Sequence, residues 1–310
     1  MKLLRIGTRG SALALWQANH VSARLAELHG IESEMVRIRT SGDRFQSAAI
    51  AQMGSKGVFI KELEDALLAG TVDLAVHSMK DVPTETPGGL YFAAITRRED
   101  VRDCLISHRS VTLGKLPAGA RVGTSSLRRQ AQIRLNRPDL ELVELRGNVD
   151  TRMKKVAAGE YDAIILAKAG VDRLGFGDKI TEILPTSLML PAVGQGALGI
   201  ETRDTDKATI DLVSALDDDD TRFCVTAERA LLRELEGGCQ VPLGAWARLG
   251  AGGLLLEACV LSPDGKEHLR RELDGAPEDA DVIGKRLGQI LFEAGADRIL
   301  RLAGRSAGNG

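Results

Sequence analysis

The chain has 310 residues, 44% hydrophobic and 27% charged, which is the composition of a globular protein with room for two or three domains and real cores. A formal net charge of −2 argues against a general nucleic-acid or membrane-surface binder, because non-specific phosphate binding needs a basic excess. Cys104, Cys224, Cys239 and Cys259 form no C-x-x-C pair and have no metal-ligand spacing to the five histidines. This speaks against a metal site and against a disulfide framework, and it fits a reducing compartment.

The N-terminal residues run straight into a strand without the apolar stretch of a signal peptide, and no window suits a membrane span, so a cytoplasmic protein is expected. Residues 3–7 read as a short buried strand. Thr8-Arg9-Gly10-Ser11 follows, then a helix whose apolar stripe is Ala14, Ala18, Val21, Leu25 and Leu28, with Ser11 as N-cap and Gly30 as stop. A strand at residues 35–38 completes a βαβ unit and implies a parallel sheet. A loop with Ser41-Gly42-Asp43 and Gly54-Ser55-Lys56-Gly57 leads to a helix over residues 58–69. The strand Leu74-Ala75-Val76 then ends in His77-Ser78-Met79-Lys80-Asp81-Val82-Pro83, at the kind of strand end where open α/β sheets bind ligands.

The second stretch repeats the first. Arg121-Val122-Gly123-Thr124 mirrors Arg5-Ile6-Gly7-Thr8, and each precedes a helix carrying Gln-Ala, at Gln130-Ala131 and Gln17-Ala18. Gly159-Glu160-Tyr161-Asp162 likewise mirrors Gly70-Thr71-Val72-Asp73. Two matches in the same order indicate a duplicated α/β domain, and paired domains usually enclose a cleft. Residues 191–199 match G-x-G-x-x-G formally, but Pro191 spoils the strand before them and no βαβ unit follows, so a hinge returning the chain to the first domain is expected instead. The acidic run Asp217 to Asp220 reads as a solvated loop. A helix over residues 223–235 follows, with Ala227, Leu231 and Leu235 on one face and Gly237-Gly238 ending it. Strands at 244–249, 254–261 and 268–273 and a helix from about Glu278 complete a small antiparallel α+β domain.

Local charge is uneven. Residues 121–155 hold nine basic and four acidic side chains, whereas residues 201–220 hold eight acidic and two basic. The basic stretch contains Gly123-Thr124-Ser125-Ser126-Leu127-Arg128-Arg129, where three hydroxyls and two arginines at a helix start suit a carboxylate or phosphate. A plain N-cap accounts for the serine, but not for arginines in a turn where the helix dipole disfavours them. Thr8-Arg9-Gly10-Ser11 is a weaker counterpart, and Arg146 at the end of a strand over 142–145 and Arg152 in the next turn point the same way. Lys80-Asp81 is either a surface pair or, at its strand end, a carboxylate held ionised beside cations and able to stabilise a developing cation or move a proton. Cys239 is either a small buried hydrophobe or, on its Gly-Gly turn, an accessible reactive thiol.

With these residues in place, the chain resembles the hydroxymethylbilane synthases, also called porphobilinogen deaminases, over essentially its whole length. The motifs are Gly7-Thr8-Arg9 with the LALWQA run at 13–18, VHSMKDVP at 76–83, GTSSLRRQ at 123–130, LRGNVDTR at 145–152, PAVGQGA at 191–197 and EGGCQVP at 236–242. The resemblance implies two similar α/β domains of the type II periplasmic-binding-protein kind, residues 1–97 with 198–216 and residues 98–197. A small α+β domain with an antiparallel sheet, residues 217–310, would carry Cys239.

The resemblance also implies a dipyrromethane cofactor on a thioether to Cys239, extended by four porphobilinogens with loss of ammonia and released by hydrolysis as hydroxymethylbilane. Asp81 is the implied catalytic group. Arg9, Ser11, Lys56, Ser78, Lys80, Thr124, Ser125, Ser126, Arg128, Arg129, Arg146, Arg152, Arg173 and Gln195 are the implied cofactor and substrate contacts. No coiled-coil or apolar interface stripe stands out in the sequence, so a monomer is expected, with no metal and no nucleic-acid partner. Gln52 and Ser55 depart from the family, where a basic residue and a glycine are common, so the loop before Lys56 offers one charge fewer. The duplicated domains alone would equally suit a non-catalytic two-lobed anion-binding or effector-sensing protein, against which the third domain with Cys239 weighs.

Overall fold

The structure, a computed structural model, describes residues 3–38, 60–235 and 241–307. Gln52, Ser55, Lys56 and Cys239 with its Gly-Gly turn lie outside the described residues. The chain runs through β1 (Leu4–Thr8), α1 (Ala12–His29), β2 (Ser33–Arg37), α2 (Lys61–Leu68), β3 (Leu74–Ser78), a 3-10 turn at Met79–Asp81 and β4 (Leu90–Ile95). It continues through β5 (Asp103–Ser107), β6 (Arg121–Gly123), α3 (Leu127–Asn136), β7 (Glu141–Val143), α4 (Val149–Ala157), β8 (Ala163–Ala167), α5 (Lys168–Arg173) and β9 (Glu182–Ile183). Then come β10 (Leu198–Arg203), α6 (Lys207–Ser214), α7 (Asp219–Glu234), β11 (Leu243–Gly250), β12 (Gly253–Leu261), β13 (His268–Gly275), α8 (Ala280–Glu293) and α9 (Ala296–Ala307). Among the described residues no helix is long and apolar enough to cross a membrane.

These elements form two compact units, Met1–Glu99 with Gly196–Arg222, and Asp100–Gln195 with Phe223–Gly310. The first holds a sheet of order β2-β1-β3-β10-β4, and the second a sheet of order β7-β6-β8-β5-β9 together with the three-stranded sheet β11-β12-β13. The two five-stranded sheets have one topology. In each, a first strand lies parallel between two others, and the fourth strand, β10 or β5, runs antiparallel.

Alternation along the strands decides what covers each face. Leu74 and Val76 of β3 pack with Ala18, Val21 and Leu25 of α1, while Ala75 packs with Leu63 and Leu67 of α2. In the second unit Ile165 of β8 shares a core with Ile133 of α3, and its neighbours Ile164 and Leu166 share one with Met153 and Val156 of α4. Each such buried aliphatic side chain contributes about 1.5–3 kcal/mol. Ser11 caps α1 by accepting from the Ala14 amide at 3.3 Å, and Gly30 ends it at φ 64°. The apolar stripe differs from expectation at its last member, since Leu28 in the final turn is 44% exposed while the polar Gln17 is buried.

The repeat detected in the sequence closes on itself in space. Asp73 accepts from the Arg5 amide at 2.9 Å, and Asp162 accepts from the Arg121 amide at 2.8 Å. The return bonds, Asp73 N–H to Arg5 and Asp162 N–H to Arg121, measure 2.8 and 2.9 Å. The glycines three residues before each aspartate, Gly70 and Gly159, have φ of 67° and 77°, a left-handed turn that glycine adopts without steric cost.

The acidic run is not a solvated loop. Asp217 accepts from the Ile95 amide at 2.6 Å and pairs with Arg222 at 2.6 Å, and Asp218 accepts from the Thr221 amide at 2.8 Å. Asp219 and Asp220 form the first turn of α7, where carboxylates offset the helix dipole. Arg152 also differs from expectation, lying within α4 and not in a turn.

In the C-terminal segment, Ala227, Leu231 and Leu235 of α7 pack with Leu254, Leu256 and Val260 of β12 and with α8. The other face of β12 presents Cys259 and Leu261 to Ala131 of α3 and to Leu190. Arg134 donates to the Pro263 carbonyl at 2.5 Å. The second sheet and the C-terminal segment are thus joined in one unit.

Candidate active site

In the first unit β1 and β3 are parallel neighbours, so the residues just beyond them share one edge of the sheet. Arg9 and Ser11 follow β1, while Ser78, Lys80 and Asp81 end or follow β3. Ser78 accepts from Gln17 Nε2 at 2.8 Å, which explains the buried glutamine on α1. Asp81 is exposed on its 3-10 turn, whereas Met79 beside it is buried and its amide donates to the Ala197 carbonyl at 3.1 Å. A dry core therefore anchors a turn whose carboxylate stays open. Beneath it, His77 Nε2 and Glu201 lie 3.0 Å apart with side chains 4% and 1% exposed. Burial, and then the Glu201 charge, raise the Glu64 carboxyl above its ordinary range.

In the second unit β7, β6 and β8 are parallel neighbours. Thr124 to Arg129 follow β6, Arg146 and Arg152 follow β7, and Arg173 lies in the last turn of α5 after β8. Ser126 is the N-cap of α3 and accepts from the Arg129 amide at 3.5 Å. Ser125 is bound at both ends to Leu145, giving to its carbonyl at 2.8 Å and accepting from its amide at 3.1 Å. Thr124 is buried, and its hydroxyl accepts from the Ser126 amide at 3.3 Å. The start of α3 is thus latched to the end of β7. Arg146 pairs with Glu144 at 2.7 Å with both side chains exposed, a contact worth little in water. Arg152 Nε donates to the Gly147 carbonyl at 2.7 Å.

Arg128 and Arg129 are neither exposed nor lone cations. They are 5% and 6% exposed, and both reach Asp103, Arg128 Nη2 to one oxygen and Arg129 Nη2 to the other, each at 2.8 Å. Gln195 Nε2 donates to Asp103 at 2.8 Å and to the Val101 carbonyl at 2.7 Å. Burial alone would raise the Asp103 carboxyl, but the charges of Arg128 and Arg129 and the hydrogen bonds from Arg129 and Gln195 outweigh it and hold the group well below the usual carboxylate range.

Asp103 was not among the residues singled out from the sequence. Its one signal there was an acidic residue opening an otherwise apolar strand, Cys104-Leu105-Ile106. β5 runs antiparallel to β8, with Asp103 opposite Ala167, so its first residue falls at the carboxyl ends of the other strands.

Two family models match the chain. The porphobilinogen deaminase, dipyromethane cofactor binding domain covers residues 4–211, and the porphobilinogen deaminase, C-terminal domain covers residues 222–293. The chain is 51% identical over 300 residues to the porphobilinogen deaminase of Trichlorobacter lovleyi, covering 96% of each. It is 50% identical to that of Syntrophobacter fumaroxidans, covering 96% of this chain and 97% of the relative. For that of Geobacter sulfurreducens the figures are 50%, 96% and 93%. Among solved structures it is similar to an ABC transporter periplasmic substrate-binding protein from Coxiella burnetii, at 15% identity and a TM-score of 0.43, covering 69% of this chain and 92% of that one.

Proposed function

The chain belongs to the porphobilinogen deaminase family, and on that premise we propose that Asp81 is its catalytic carboxylate and that Cys239 holds the dipyrromethane by a thioether. The protein is a transferase that joins four porphobilinogens, with loss of ammonia, onto a covalently bound dipyrromethane and releases hydroxymethylbilane by hydrolysis. A non-catalytic anion sensor does not fit a chain aligned with these enzymes over 96% of its length.

The donor set suits the group. Dipyrromethane and porphobilinogen carry acetate and propionate side chains. Arg128 and Arg129 share one carboxylate, so that corner keeps a net positive charge, and the buried Nε of Arg129 has no hydrogen-bond partner among the described residues. A guanidinium N–H beside a helix N-terminus favours an incoming carboxylate. When bound, the dipyrromethane supplies the pyrrole to which the first substrate is joined. In this reading Thr124, Ser125, Ser126, Arg128, Arg129 and Gln195 support its side chains and those of the growing product. Arg146, Arg152 and Arg173 extend the positive edge, and Arg9, Ser11, Lys56, Ser78 and Lys80 are further candidate contacts for the carboxylates.

The observation that carries the catalytic assignment is the placement of Asp81: exposed, on a turn anchored by buried Met79, and at the same sheet edge as Arg9. A carboxylate there can accept pyrrole N–H groups and stabilise the positive charge that develops as ammonia leaves. The protein acts as a cytoplasmic monomer in this reading, and Cys104, Cys224 and Cys259, buried as thiols, suit a reducing compartment.

The experiment is intact-mass and peptide mapping of freshly made, active protein, with Asp81→Ala alongside. The chain is expected to exceed its sequence mass by an adduct on Cys239, and Asp81→Ala to retain the adduct while losing turnover. An unmodified Cys239 in active protein removes the covalent assignment. Substantial ammonia release by Asp81→Ala moves the central role to another residue.

A further inference from the structure

Two arginines side by side in the first turn of a helix repel each other and oppose the helix dipole, and each would be costly to bury unpaired. Both are nonetheless buried in α3. The groups around them account for this. Asp103, 0% exposed, accepts a hydrogen bond from Arg129 and forms an ion pair with Arg128 at 2.8 Å, and each arginine is also held on a second side. Arg128 Nη1 donates to the Leu190 carbonyl at 2.6 Å, and Arg129 Nη1 to the Ile165 carbonyl at 3.1 Å. Leu190 is itself fixed by Gln132, which accepts from its amide at 2.7 Å and donates to its carbonyl at 3.1 Å.

We propose that Asp103 is a positioning residue for carboxylate recognition: it sets the orientations of Arg128 and Arg129 and ties them, through Gln195, to the segment by which the chain leaves the second sheet. The inference rests on the reading of Arg128 and Arg129 as carboxylate-binding residues.

Three consequences follow from the geometry. Both guanidinium groups are fixed before a ligand arrives, so little side-chain entropy is lost on binding. Of the charges in this cluster, two positive and one negative, one positive charge is left, which matches a single incoming carboxylate and disfavours a neutral group. Gln195 bonds the Asp103 carboxylate and the Val101 carbonyl at once, so the arginine pair and both segments flanking β5 and β10 share one network. Asp103 stays ionised across the neutral range because its neighbours hold it well below the usual carboxylate range. It touches no substrate in this scheme and acts through the arginines.

The test uses the full-length protein in four variants: Asp103→Asn, Asp103→Glu, Arg129→Gln and Glu228→Gln. Glu228 is a buried carboxylate on α7, accepting from the Gly194 amide at 2.7 Å and the Ala247 amide at 2.8 Å. It reports what loss of a buried charge does to the fold alone. Primer loading is read by intact mass, and KM and kcat for porphobilinogen are measured on the primer-bearing fraction.

In both Asp103 variants KM is expected to rise about tenfold or more and loading to fall, with kcat within about threefold of the parent, because ground-state binding is lost and the reacting centre is not touched. Glu228→Gln is expected to keep the parent KM and loading. If Asp103→Asn does not accumulate folded, Asp103→Glu, which keeps the charge and moves it by one methylene, decides alone. Parent KM and loading in Asp103→Glu, with Arg129→Gln impaired, overturn the inference and leave the arginine reading standing. Parent behaviour in Arg129→Gln removes the arginine reading itself, and a KM raised equally by Glu228→Gln reduces the Asp103 effect to general destabilisation.

Discussion

Gly199→Ala places a methyl group where the turn carrying Asp81, the proposed catalytic carboxylate, is anchored. Gly199 lies in β10 opposite His77 of β3 and Ile95 of β4. A Cβ there would stand 2.3 Å from the Met79 sulfur and 2.8 and 2.9 Å from two carbons of the Phe92 ring, against the roughly 3.5 Å of ordinary contact. Met79 and Phe92 are 2% and 9% exposed, so neither can swing into solvent. Relief has to come from displacing Met79, the first residue of the turn that ends at Asp81. Overpacking of this kind costs about 1–3 kcal/mol, and a shift of about 1 Å in a reacting group can cost on the order of 100-fold in rate.

Gly199→Ala should therefore lower the denaturant midpoint and cut kcat by tenfold to a hundredfold. Equilibrium unfolding and steady-state porphobilinogen consumption measure the two effects. In a double-mutant cycle with Met79→Ala, the added methyl should cost less than it does in the parent, since its closest contact is gone and only the Phe92 ring carbons remain. Parent-like turnover and midpoint in Gly199→Ala would refute the coupling between β10 and the turn, and full additivity in the cycle would refute Met79 as its carrier.

Two further outcomes follow from the ionisable groups. The Glu64 carboxyl is raised by burial and then by the Glu201 charge, so its contribution to stability is present below the unfolded value and lost as pH rises through the raised folded value. Glu64→Gln should gain on the parent in unfolding free energy as pH climbs from about 4 to neutrality, and a gain that is the same at every pH would contradict this. Burial, and then the Asp103 charge, push Cys104 up to about 12, and burial pushes Cys259 up to about 11. Iodoacetamide at pH near 8 should spare both in the native protein and label both after unfolding, and prompt native labelling of either would count against its burial.

Much of this architecture could be read along the chain, and particular residues show why. Ser11, Gly30 and the Ala18-Val21-Leu25 stripe of α1 depend on contacts within one or two turns, which spacing alone reveals. The paired motifs around Arg5 and Asp73, and around Arg121 and Asp162, could be matched because duplication wrote one solution twice. Strand-end residues such as Ser78, Asp81 and Thr124 were legible for a related reason: a βαβ unit sends its ligand-binding loops to one edge wherever it occurs.

The tertiary structure decided what depends on partners distant in sequence. The Asp217 to Asp220 run looked solvated by composition, yet Asp217 reaches the Ile95 amide, 122 residues away, and the run starts a helix. Gln17 stood out only as half of the repeated Gln-Ala pair, and what makes it a buried residue is Ser78, 61 residues on.

Arg128 and Arg129 stood out as candidate anion-binding residues from their place at a helix start. That they are buried and share Asp103 was not legible. The meeting is made by β5, which enters its sheet antiparallel to β8 and sets its first carboxylate beside α3. Sequence alone determined the charges at this edge through local helix and strand patterns. Which charge neutralises which was decided by strand order, because ion pairing depends on distance in space and burial makes an unmatched charge too costly to keep.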